Sequence, residues 1–358
     1  MAIPLSVSQT PAPADLRAIA ARVEHRLEIL LDDERRRWCA LDADLDEPIR
    51  LLGEMVLSGG KRLRPAFVHW GFVAAGGSVP DATVDTAGAA FEMLHSFALV
   101  HDDVVDDSDT RRGRPALHVT FVARHQQQGY RGEKRRFGEG VAVLVGDLAH
   151  VYADVLAADF PRVALDVWNE LRVELNVGQY LDLLGTARGD TDSTHARRIA
   201  RYKSAKYTIE RPLHLGAALA GQFETLGPML SAYGIPLGEA FQFRDDLLGV
   251  FGDPSITGKP VGDDLREGKP TALLALAVER STAEQRTLLE LVGSTDLDDN
   301  DIARCQEILT ETGAATEIER QIEASRQEAI DVIAAAPIEP HARQALIDLA
   351  WYVTDRDR

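Results

Sequence analysis

Apolar residues recur along most of this chain at steps of three or four positions. Near the N-terminus, Leu16, Ile19, Val23, Leu27 and Leu30 follow this spacing, which places them on one face of an α-helix. Comparable patterns run through residues 82–107, 140–160, 163–184, 205–220, 237–251, 271–279, 302–334 and 342–353. Strict alternation with period two, the pattern of a half-buried strand, is hard to find. The sequence therefore predicts an all-α protein of ten or more helices.

The first fourteen residues, MAIPLSVSQTPAPA, contain three prolines and no helical period. We interpret residues 1–14 as a flexible tail. Two Asp-rich clusters about 140 residues apart suggest pseudo-symmetric halves, but no repeat of fixed period is evident. We therefore predict a single all-α domain over residues 15–358.

The chain is acidic, with 57 Asp and Glu against 39 Lys and Arg and a formal net charge of -18. Such a surface repels nucleic acid and anionic lipid headgroups, so we exclude non-specific nucleic-acid binding. Cys39 and Cys305 lie far apart, which argues against a disulfide framework or a zinc site.

The most apolar stretch, residues 141–160, contains three aspartates and a histidine, so we do not interpret it as a membrane span of about 20 apolar residues. The N-terminus lacks a basic region followed by an apolar signal core. We expect a soluble cytoplasmic protein without a membrane span.

Five aspartates follow an apolar helical segment: Asp102, Asp103, Asp106, Asp107 and Asp109. Positions i and i+4 of a helix share a face, so Asp102 and Asp106 can hold one cation, while Asp103 points about 100° away. Magnesium suits this geometry because one or two carboxylates usually hold it together with phosphate oxygens. Acidic residues destabilise a helix C-terminus, so a metal site explains the cluster better than a solvated helix face.

A second pair, Asp245 and Asp246, again follows an apolar helix, and Gln242 lies one turn earlier on nearly the same face as Asp245. We predict a second metal site facing the first. The glycine-rich segment that follows contains Lys259 and Lys269. Such a loop can fold over a diphosphate, although solvent-exposed loop lysines are an equally good interpretation.

Basic residues that can hold an anion stand elsewhere in the chain. Arg111 and Arg112 follow the first cluster, and their guanidinium groups can bind phosphate oxygens in pairs; charge balance for the aspartates is the alternative for either one alone. Lys61, Arg62 and Arg64 follow two glycines and precede a helix, where backbone N–H groups and basic side chains can converge on an anion. This spacing is not that of a Walker P-loop or a dinucleotide fingerprint, which argues against a nucleotide enzyme.

Two further residues are open to both functional and structural interpretations. His95 lies two turns before the first aspartate cluster on the same side of the helix, so it can face a phosphate, although a lone histidine is more often a core residue. Lys206 begins another apolar helix and can complete an anion site, or it is a surface lysine.

Together these segments resemble the trans-isoprenyl diphosphate synthase family. Its members share a GGKRxRP segment, a DDxxD motif followed by RRG, and a second DDxxD, and the match spans Gly59 to Thr271 in the expected order. The resemblance implies a bundle of mostly antiparallel helices around a deep central cavity, usually assembled as a homodimer. It also implies magnesium-dependent condensation of isopentenyl diphosphate with an allylic diphosphate.

The resemblance assigns roles to individual residues. It implies that magnesium on the allylic diphosphate is bound by Asp102 and Asp106, with Asp103 assisting, and that Asp245 binds a further ion. Isopentenyl diphosphate would be held by Lys61, Arg64, His95 and Arg112. The allylic diphosphate or its closing loop would involve Arg111, Lys206, Gln242, Lys259 and Lys269. The catalytic set is then Asp102, Asp103, Asp106, Arg111, Lys206 and Asp245.

Two positions bear on rate and on product length. Gly249 stands where the second motif usually has its third aspartate, and Asp253, two turns beyond Asp245, is our candidate to compensate. Ala98 lies one turn before Asp102 and leaves room for a growing chain. Phe97 is bulky, and the resemblance implies that an aromatic residue at this position limits product length. We therefore expect a geranylgeranyl product, with fifteen carbons or longer chains as alternatives.

Two other functions remain open. A class I terpene cyclase would use the same aspartate-rich site and helical fold, but it would not need the GGKRLRP and RRG basic residues. A non-catalytic subunit of a heteromeric synthase is suggested by Gly249, and the intact first cluster speaks against it. The proposed reaction needs no separate general base, because the departing diphosphate can accept the proton.

Overall fold

The computed structural model describes residues 12–253, 261–294 and 296–355, and these residues are predominantly helical. The α-helices are α1 (Ala14–Cys39), α2 (Asp46–Leu57), α3 (Leu63–Ala74), α4 (Ala82–Val105), α5 (Leu117–Gln128), α6 (Lys134–Ala157), α7 (Arg162–Arg188), α8 (Ser193–Ile199), α9 (Arg211–Leu219), α10 (Phe223–Phe251), α11 (Asp263–Glu267), α12 (Ala272–Arg280), α13 (Ala283–Leu289), α14 (Asp299–Glu311), α15 (Ala314–Ala335) and α16 (Pro340–Thr354). A 3₁₀ turn spans Ala43–Leu45 and a π-helical segment spans Ala200–Glu210. The prediction of an all-α protein with ten or more helices is confirmed.

A two-stranded ribbon interrupts the helices directly after the first aspartate cluster. Strand β1 (Thr110–Arg111) pairs antiparallel with β2 (Arg114–Pro115), so that Arg111 lies opposite Arg114. The two turn residues, Arg112 and Gly113, have φ values of 52° and 72°, and positive φ at both central positions is the geometry of a tight two-residue hairpin. Each strand has only two residues, too few for a period-two pattern to predict it from the sequence.

The described chain divides into two compact units. The N-terminal unit comprises Ala14–His69 and Ser78–Leu165, and the C-terminal unit comprises Trp70–Gly77 and the described residues from Asp166 onward. The single domain over 15–358 stays a prediction. Of the expected tail, residues 1–11 lie outside the described part, and α1 already begins at Ala14.

The N-terminal unit is built around the packing of α4 against α6. Helix α4 begins at a capping residue, Asp81, whose carboxylate accepts hydrogen bonds from the backbone N–H groups of Thr83 (2.7 Å) and Val84 (3.3 Å). Its middle is buried on most sides, and Phe91 and Leu94 are fully inaccessible to solvent. The helix therefore carries its C-terminal aspartates on a rigidly packed element.

In the C-terminal unit, α10 packs against the π-helical segment and against α15. Gly178 on α7 and Gly238 on α10 both approach the backbone of the π-helical segment so closely that a Cβ atom at either position would overlap it. Glycine at these two positions thus allows the segment to lie tightly between α7 and α10. A second core cluster forms around α12, α14 and α15, with Cys305 and Leu309 fully buried.

One helix among the described residues, α6, is long and apolar enough to cross a membrane by length and composition alone. In its apolar window, 44% of the residues are buried inside the protein. A core helix of a soluble protein meets the same criterion, so the observation is weak evidence for a membrane span.

Candidate functional site

The first aspartate cluster divides into buried and exposed carboxylates at the end of α4. Asp103 is 3% exposed, and the side chain of Asp102 is 20% exposed. Asp106 caps the helix, and its backbone N–H donates to the Asp102 carbonyl at 2.8 Å. Asp107 is exposed and pairs with Arg135 at 3.1 Å. The roles of Asp102 and Asp106 as ligands of an ion stay predictions.

Arg111 is held by the buried carboxylate of this cluster. Its Nε donates to Asp103 Oδ1 at 2.7 Å, and its Nη2 donates to the same oxygen. The Nη2 atom also lies 3.7 Å from Asp102 Oδ2. Burial raises the pKa of Asp103 above its ordinary value, although Arg111 opposes this shift. Asp103 thus acts on the site by positioning Arg111 beside Asp102.

The hairpin brings Arg112 to the glycine-rich turn that precedes α3. Arg112 Nη1 donates to the Gly59 carbonyl at 2.8 Å and approaches Ser58 Oγ at 3.4 Å. Burial lowers the pKa of Arg112; the carboxylate of Glu92 opposes this shift, and the guanidinium groups of Arg62, Arg111 and Arg64 add to it. Such a group of neighbouring cations is suited to an anionic ligand.

His95 lies in the same cationic surroundings. Burial lowers its pKa well below the ordinary histidine value, and the guanidinium groups of Arg64, Arg112 and Arg111 lower it further. His95 is therefore neutral in this environment. The structure places His95, Arg64 and Arg112, three of the four residues predicted to hold isopentenyl diphosphate, within electrostatic reach of one another in the N-terminal unit.

Arg62, in the same basic segment as Lys61 and Arg64, is a buried residue to which sequence reasoning gave no individual role. It is 4% exposed and has a φ of 49°. Its Nε donates to Glu24 Oε1 at 3.1 Å, its Nη2 donates to the Val56 carbonyl at 2.7 Å, and its Nη1 donates to Glu92 Oε2. Arg62 therefore anchors the GGKRLRP segment to α1, α2 and α4. Two of its three partners, Glu24 and Glu92, lie 38 and 30 residues away in the sequence, so the local motif did not predict these ion pairs.

The second aspartate cluster also has one buried and one half-buried carboxylate. Asp246 is 5% exposed and accepts a hydrogen bond from Gln242 Nε2 at 2.7 Å, while Asp245 is only half-buried. Gln242 in turn bonds Ser204. Burial holds the pKa of Asp246 well above its ordinary value, and the nearby carboxylates of Asp264 and Asp245 add to this effect.

The space beside Gly249 is occupied by another carboxylate. A Cβ atom built on Gly249 would overlap the side chain of Asp264. Asp264 Oδ1 lies 3.4 Å from Lys269 Nζ, and Lys269 also pairs with Glu267. The carboxylate at this point of the C-terminal unit is therefore supplied from α11. Sequence reasoning had Asp264 in view within the glycine-rich segment but gave it no role.

Asp253, the residue that we expected to compensate for Gly249, does not continue the helical face. Helix α10 ends at Phe251, and Gly252 has extended backbone angles (φ -64°, ψ 146°). Asp253 follows this turn and is exposed, so its spacing from Asp245 no longer corresponds to two helical turns. Lys259 lies outside the described residues.

Two lysines lie three residues apart on the π-helical segment and face different partners. Lys206 Nζ lies 2.6 Å from Glu174 Oε1 and 3.3 Å from Glu210 Oε2. Lys203 Nζ lies 2.5 Å from Asp182 Oδ2. Ser204, which follows Lys203 in the sequence, donates a hydrogen bond to Gln242, and Gln242 donates to Asp246 of the second cluster. The role predicted for Lys206 stays a prediction.

The ring of Phe97 packs against two histidine rings. Its ring centroid is 4.6 Å from that of His101 and 4.8 Å from that of His150 on α6. His101 is fixed in turn, because its Nε2 lies 3.1 Å from the Val143 carbonyl and its ring packs on Gly146, where a Cβ atom would overlap it. Phe97 and Ala98 are both partly exposed.

The carboxylates of the first cluster have the oxygen donors that magnesium prefers. Across residues 12–253, 261–294 and 296–355, no group of three or more His, Cys, Asp or Glu side chains is arranged to hold an ion. Magnesium is commonly bound by one or two carboxylates, with waters and phosphate oxygens completing its octahedron. Partly exposed Asp102 and Asp106 at the end of α4 would provide the carboxylate oxygens of such a site.

Comparison with known proteins gives consistent relatives over most of the chain. The sequence profile of the polyprenyl synthetase family matches residues 47–309. A geranylfarnesyl diphosphate synthase of Aeropyrum pernix is 32% identical over 322 residues, which cover 86% of this chain and 95% of the relative. A (2E,6E)-farnesyl diphosphate synthase of Mycobacterium tuberculosis is 33% identical over 310 residues, covering 83% and 80% respectively.

A solved structure extends this likeness to three dimensions. The crystal structure of geranylgeranyl pyrophosphate synthase from Corynebacterium glutamicum, complexed with isoprenyl diphosphate and magnesium, is 39% identical to this chain. It matches with a TM-score of 0.90 and covers 95% of this chain and 99% of that chain.

Proposed function

Because the chain belongs to the polyprenyl synthetase family, we propose that it adds isopentenyl diphosphate to an allylic diphosphate to make geranylgeranyl diphosphate. The resemblance inferred from its motifs is confirmed. The protein is a prenyltransferase that elongates trans-prenyl diphosphates and uses Mg²⁺. Its relatives carry the names of farnesyl, geranylgeranyl and geranylfarnesyl synthases. Family membership therefore leaves the product length open.

The aromatic cluster around Phe97 is the observation that supports a product of intermediate length. Phe97 precedes Asp102 by five residues, and His101 and His150 hold its ring on two sides. A ring fixed in this way resists displacement by a growing chain better than one with free rotamers. Ala98 beside it leaves room. We infer that the growing prenyl product extends toward Phe97 and stops there at twenty carbons.

We assign the roles of the N-terminal unit as follows. Asp102 and Asp106 would hold Mg²⁺, which when bound neutralises the departing diphosphate. Arg111 adds a positive charge beside Asp102, and Asp103 orients it. Fixed charges in a water-poor site stabilise developing negative charge without reorganisation. The catalytic roles of these residues are proposals that the variants described below test.

The diphosphate of isopentenyl diphosphate would be bound by Lys61, Arg64, Arg112 and neutral His95. Neutral histidine can donate one hydrogen bond to a phosphate oxygen without adding a charge that the surrounding guanidinium groups would oppose. Arg62 holds the segment on which Lys61 and Arg64 stand.

In the C-terminal unit we propose that Asp245 binds a further ion, and that Asp264 replaces the carboxylate missing at Gly249. Gln242 orients Asp246 through its side-chain amide. Lys269, Lys206 and Lys259 stay predicted ligands of the allylic diphosphate or its loop, and Lys203 joins them. That both aspartate clusters serve one diphosphate also remains a prediction from the sequence.

We further propose that the protein is a soluble cytoplasmic homodimer. Helix α6 exposes Leu144, Val151 and Val155, which are 67%, 54% and 56% accessible. They recur at steps of seven and four, so they form one apolar face, and exposed apolar faces of this kind mark protein interfaces. A second copy of the chain is the occupant we propose. Leu144→Arg should give a monomer in light scattering, and an unchanged mass would contradict the proposal.

The experiment that tests the function is a product assay. The pure protein is incubated with Mg²⁺, isopentenyl diphosphate and allylic primers of five, ten and fifteen carbons, and the products are identified by mass spectrometry. We expect geranylgeranyl diphosphate from each primer. A shorter or longer main product would contradict the proposed length. Cyclic hydrocarbon would favour a terpene cyclase, and absence of turnover would favour a non-catalytic subunit.

A further inference from the structure

A cavity of about 270 Å³ lies in the N-terminal unit behind the first aspartate cluster. It is enclosed by α2, the C-terminal end of α4, the β1–β2 hairpin and the start of α5. Neither Asp102 nor Asp106 is among its described lining residues, and of the four residues proposed for isopentenyl diphosphate only Arg112 is. Asp103 lines it because successive helix positions point about 100° apart. The cavity is therefore separate from the proposed metal face.

One side of the cavity is apolar and the other is cationic. The apolar side is formed by Leu51, Met55, Leu99 and Leu117. The cationic side is formed by Arg111, Arg112 and Arg114. A concave site with apolar walls and a few convergent polar groups is the usual form of a small-molecule site.

The positive charge of the cavity exceeds its negative charge. Asp103 is engaged by Arg111, and Glu54, the other lining carboxylate, bonds Arg50 at 2.5 Å. Arg112 donates to neutral oxygens of Gly59 and Ser58. In the described part of the chain, the side chain of Arg114 has neither a hydrogen bond nor an ion pair. Because Arg112 is assigned to isopentenyl diphosphate, Arg114 is the guanidinium group of the cavity that is left for a further anion, and Arg111 stands beside it.

We propose that this cavity binds an organic phosphate with a short apolar tail, separately from the reacting substrates. Guanidinium groups match the geometry of phosphate oxygens, and the leucine and methionine side chains would cover the tail. The volume lies just below the range of about 300–1,000 Å³ typical of ligand pockets, which restricts the tail to a short chain. Short prenyl phosphates and alkyl phosphates share this chemistry.

Binding in the cavity would reach the aspartate cluster through one ion pair. The Asp103–Arg111 pair forms part of the cavity wall, and Arg111 Nη2 also lies 3.7 Å from Asp102 Oδ2. A phosphate that attracts Arg111 competes with Asp103 and shifts positive charge away from Asp102. Turnover would then fall without displacement of either substrate. This regulatory consequence rests on the proposed function, whereas binding itself does not.

Binding can be measured without turnover by NMR of ¹³C-methyl methionine. The chain has four methionines; Met55 lines the cavity, and Met93 is fully buried elsewhere in α4. The probe is octyl phosphate, and Met55→Leu assigns the signal. We expect the Met55 methyl resonance to shift saturably while that of Met93 stays in place. Absence of a saturable shift at Met55 would overturn the proposal.

Separate arms resolve the head and the tail of the probe. Inorganic phosphate has only the head group of the probe, and 1-octanol has only its tail. We expect the affinity of each to be lower than that of octyl phosphate by about tenfold or more. Equal binding by inorganic phosphate would show a simple anion site and contradict the amphiphilic one. Equal binding by octanol would contradict the role of the arginines.

Variants at the two ends of the cavity locate the probe. Arg114→Ala removes one guanidinium, and Leu51→Trp fills the apolar side. Each should weaken octyl phosphate binding by about tenfold. Matched controls are Arg131→Ala and Leu41→Trp, which alter exposed positions of the same unit and should leave binding unchanged. Equal binding in Arg114→Ala and in Arg131→Ala would overturn the site.

Steady-state kinetics then test the regulatory step. Octyl phosphate should lower kcat without competing with either substrate, and Arg114→Ala should raise its inhibition constant by about tenfold while kcat and KM without probe stay unchanged. Competitive inhibition would place the probe in a substrate site and refute the regulation. An inactive protein that still shows the Met55 shift would refute the proposed function and leave the cavity site intact.

Discussion

Each of the two aspartate clusters begins with a pair of adjacent aspartates near the end of an apolar helix. In each pair the two carboxylates differ in burial. In both, the first aspartate is half-buried and the second is buried, with exposures of 3% for Asp103 and 5% for Asp246. Adjacent helix positions cannot face the same way. A pair of neighbouring aspartates is therefore one candidate ligand and one internal anchor.

The anchors differ in what compensates them. Asp103 is ion-paired with Arg111, whereas Asp246 is hydrogen-bonded to the neutral amide of Gln242. Burial raises the pKa of both, and Asp246 also has carboxylates as neighbours, which places its pKa well above the ordinary value. The first cluster thus contains a compensated charge, and the second contains a carboxyl group that favours the protonated form.

The most direct test removes the charge of each anchor. Asp103→Asn leaves Arg111 without its counter-charge, and loss of one partner of a buried ion pair costs about 3–5 kcal/mol. Asp246→Asn keeps the oxygen that accepts from Gln242, so we expect a loss below about 1 kcal/mol. The free energy of unfolding is measured by urea denaturation. Equal losses in the two variants would remove the distinction between the anchors.

The outward-facing aspartates are expected to control activity. Asp102→Ala should lower kcat/KM by about 10²–10³-fold, the size of effect seen when one group that stabilises transition-state charge is lost. Its matched control is Asp107→Ala, in the same cluster but exposed and paired with Arg135, which should stay close to the parent enzyme. The Mg²⁺ concentration at half-maximal rate should rise in Asp102→Ala only. A similar rate in both variants would refute the role of Asp102.

Restoring the third aspartate of the second motif at position 249 should lower the activity. Gly249→Asp places a second carboxylate where Asp264 already lies, so we expect kcat/KM to fall by about tenfold, on the scale of the roughly 1–3 kcal/mol cost of overpacking. Gly249→Ala separates the steric part from the charge. Gly140→Ala, at a helical glycine with open space around it, is the control and should be neutral or stabilising. Increased activity in Gly249→Asp would refute the replacement by Asp264.

The smallest effect on rate is expected from substitutions in and around the helical segments that precede the two clusters. Phe97 lies partly exposed between His101 and His150, whereas Phe241 is buried in α10 at 8% exposure. Phe97→Leu should lengthen the product by at least one isoprene unit and change kcat little, and His150→Ala should do so to a lesser extent. Phe241→Leu should leave product length unchanged. Mass spectrometry of the products distinguishes these outcomes.

Much of the architecture followed from local rules. The recurrence of apolar residues at three and four positions predicted the helices, because a helix in a soluble protein must bury one face. The ordered motifs predicted the family and the use of magnesium, because those residue types at those spacings suit paired carboxylates and phosphate ligands. Helix geometry alone placed Asp102 and Asp106 on one face and Asp103 about 100° away from them.

What the sequence by itself determined was therefore the class of fold, the reaction class and the candidate residues. Only the tertiary structure decided which neighbours compensate them. Glu24 and Glu92 hold Arg62, Asp264 lies at Gly249, and Asp182 on α7 pairs with Lys203. Each of these contacts depends on how whole helices pack. Local periodicity specifies which face of a helix is buried but carries no information about the side chain that a distant element places against it.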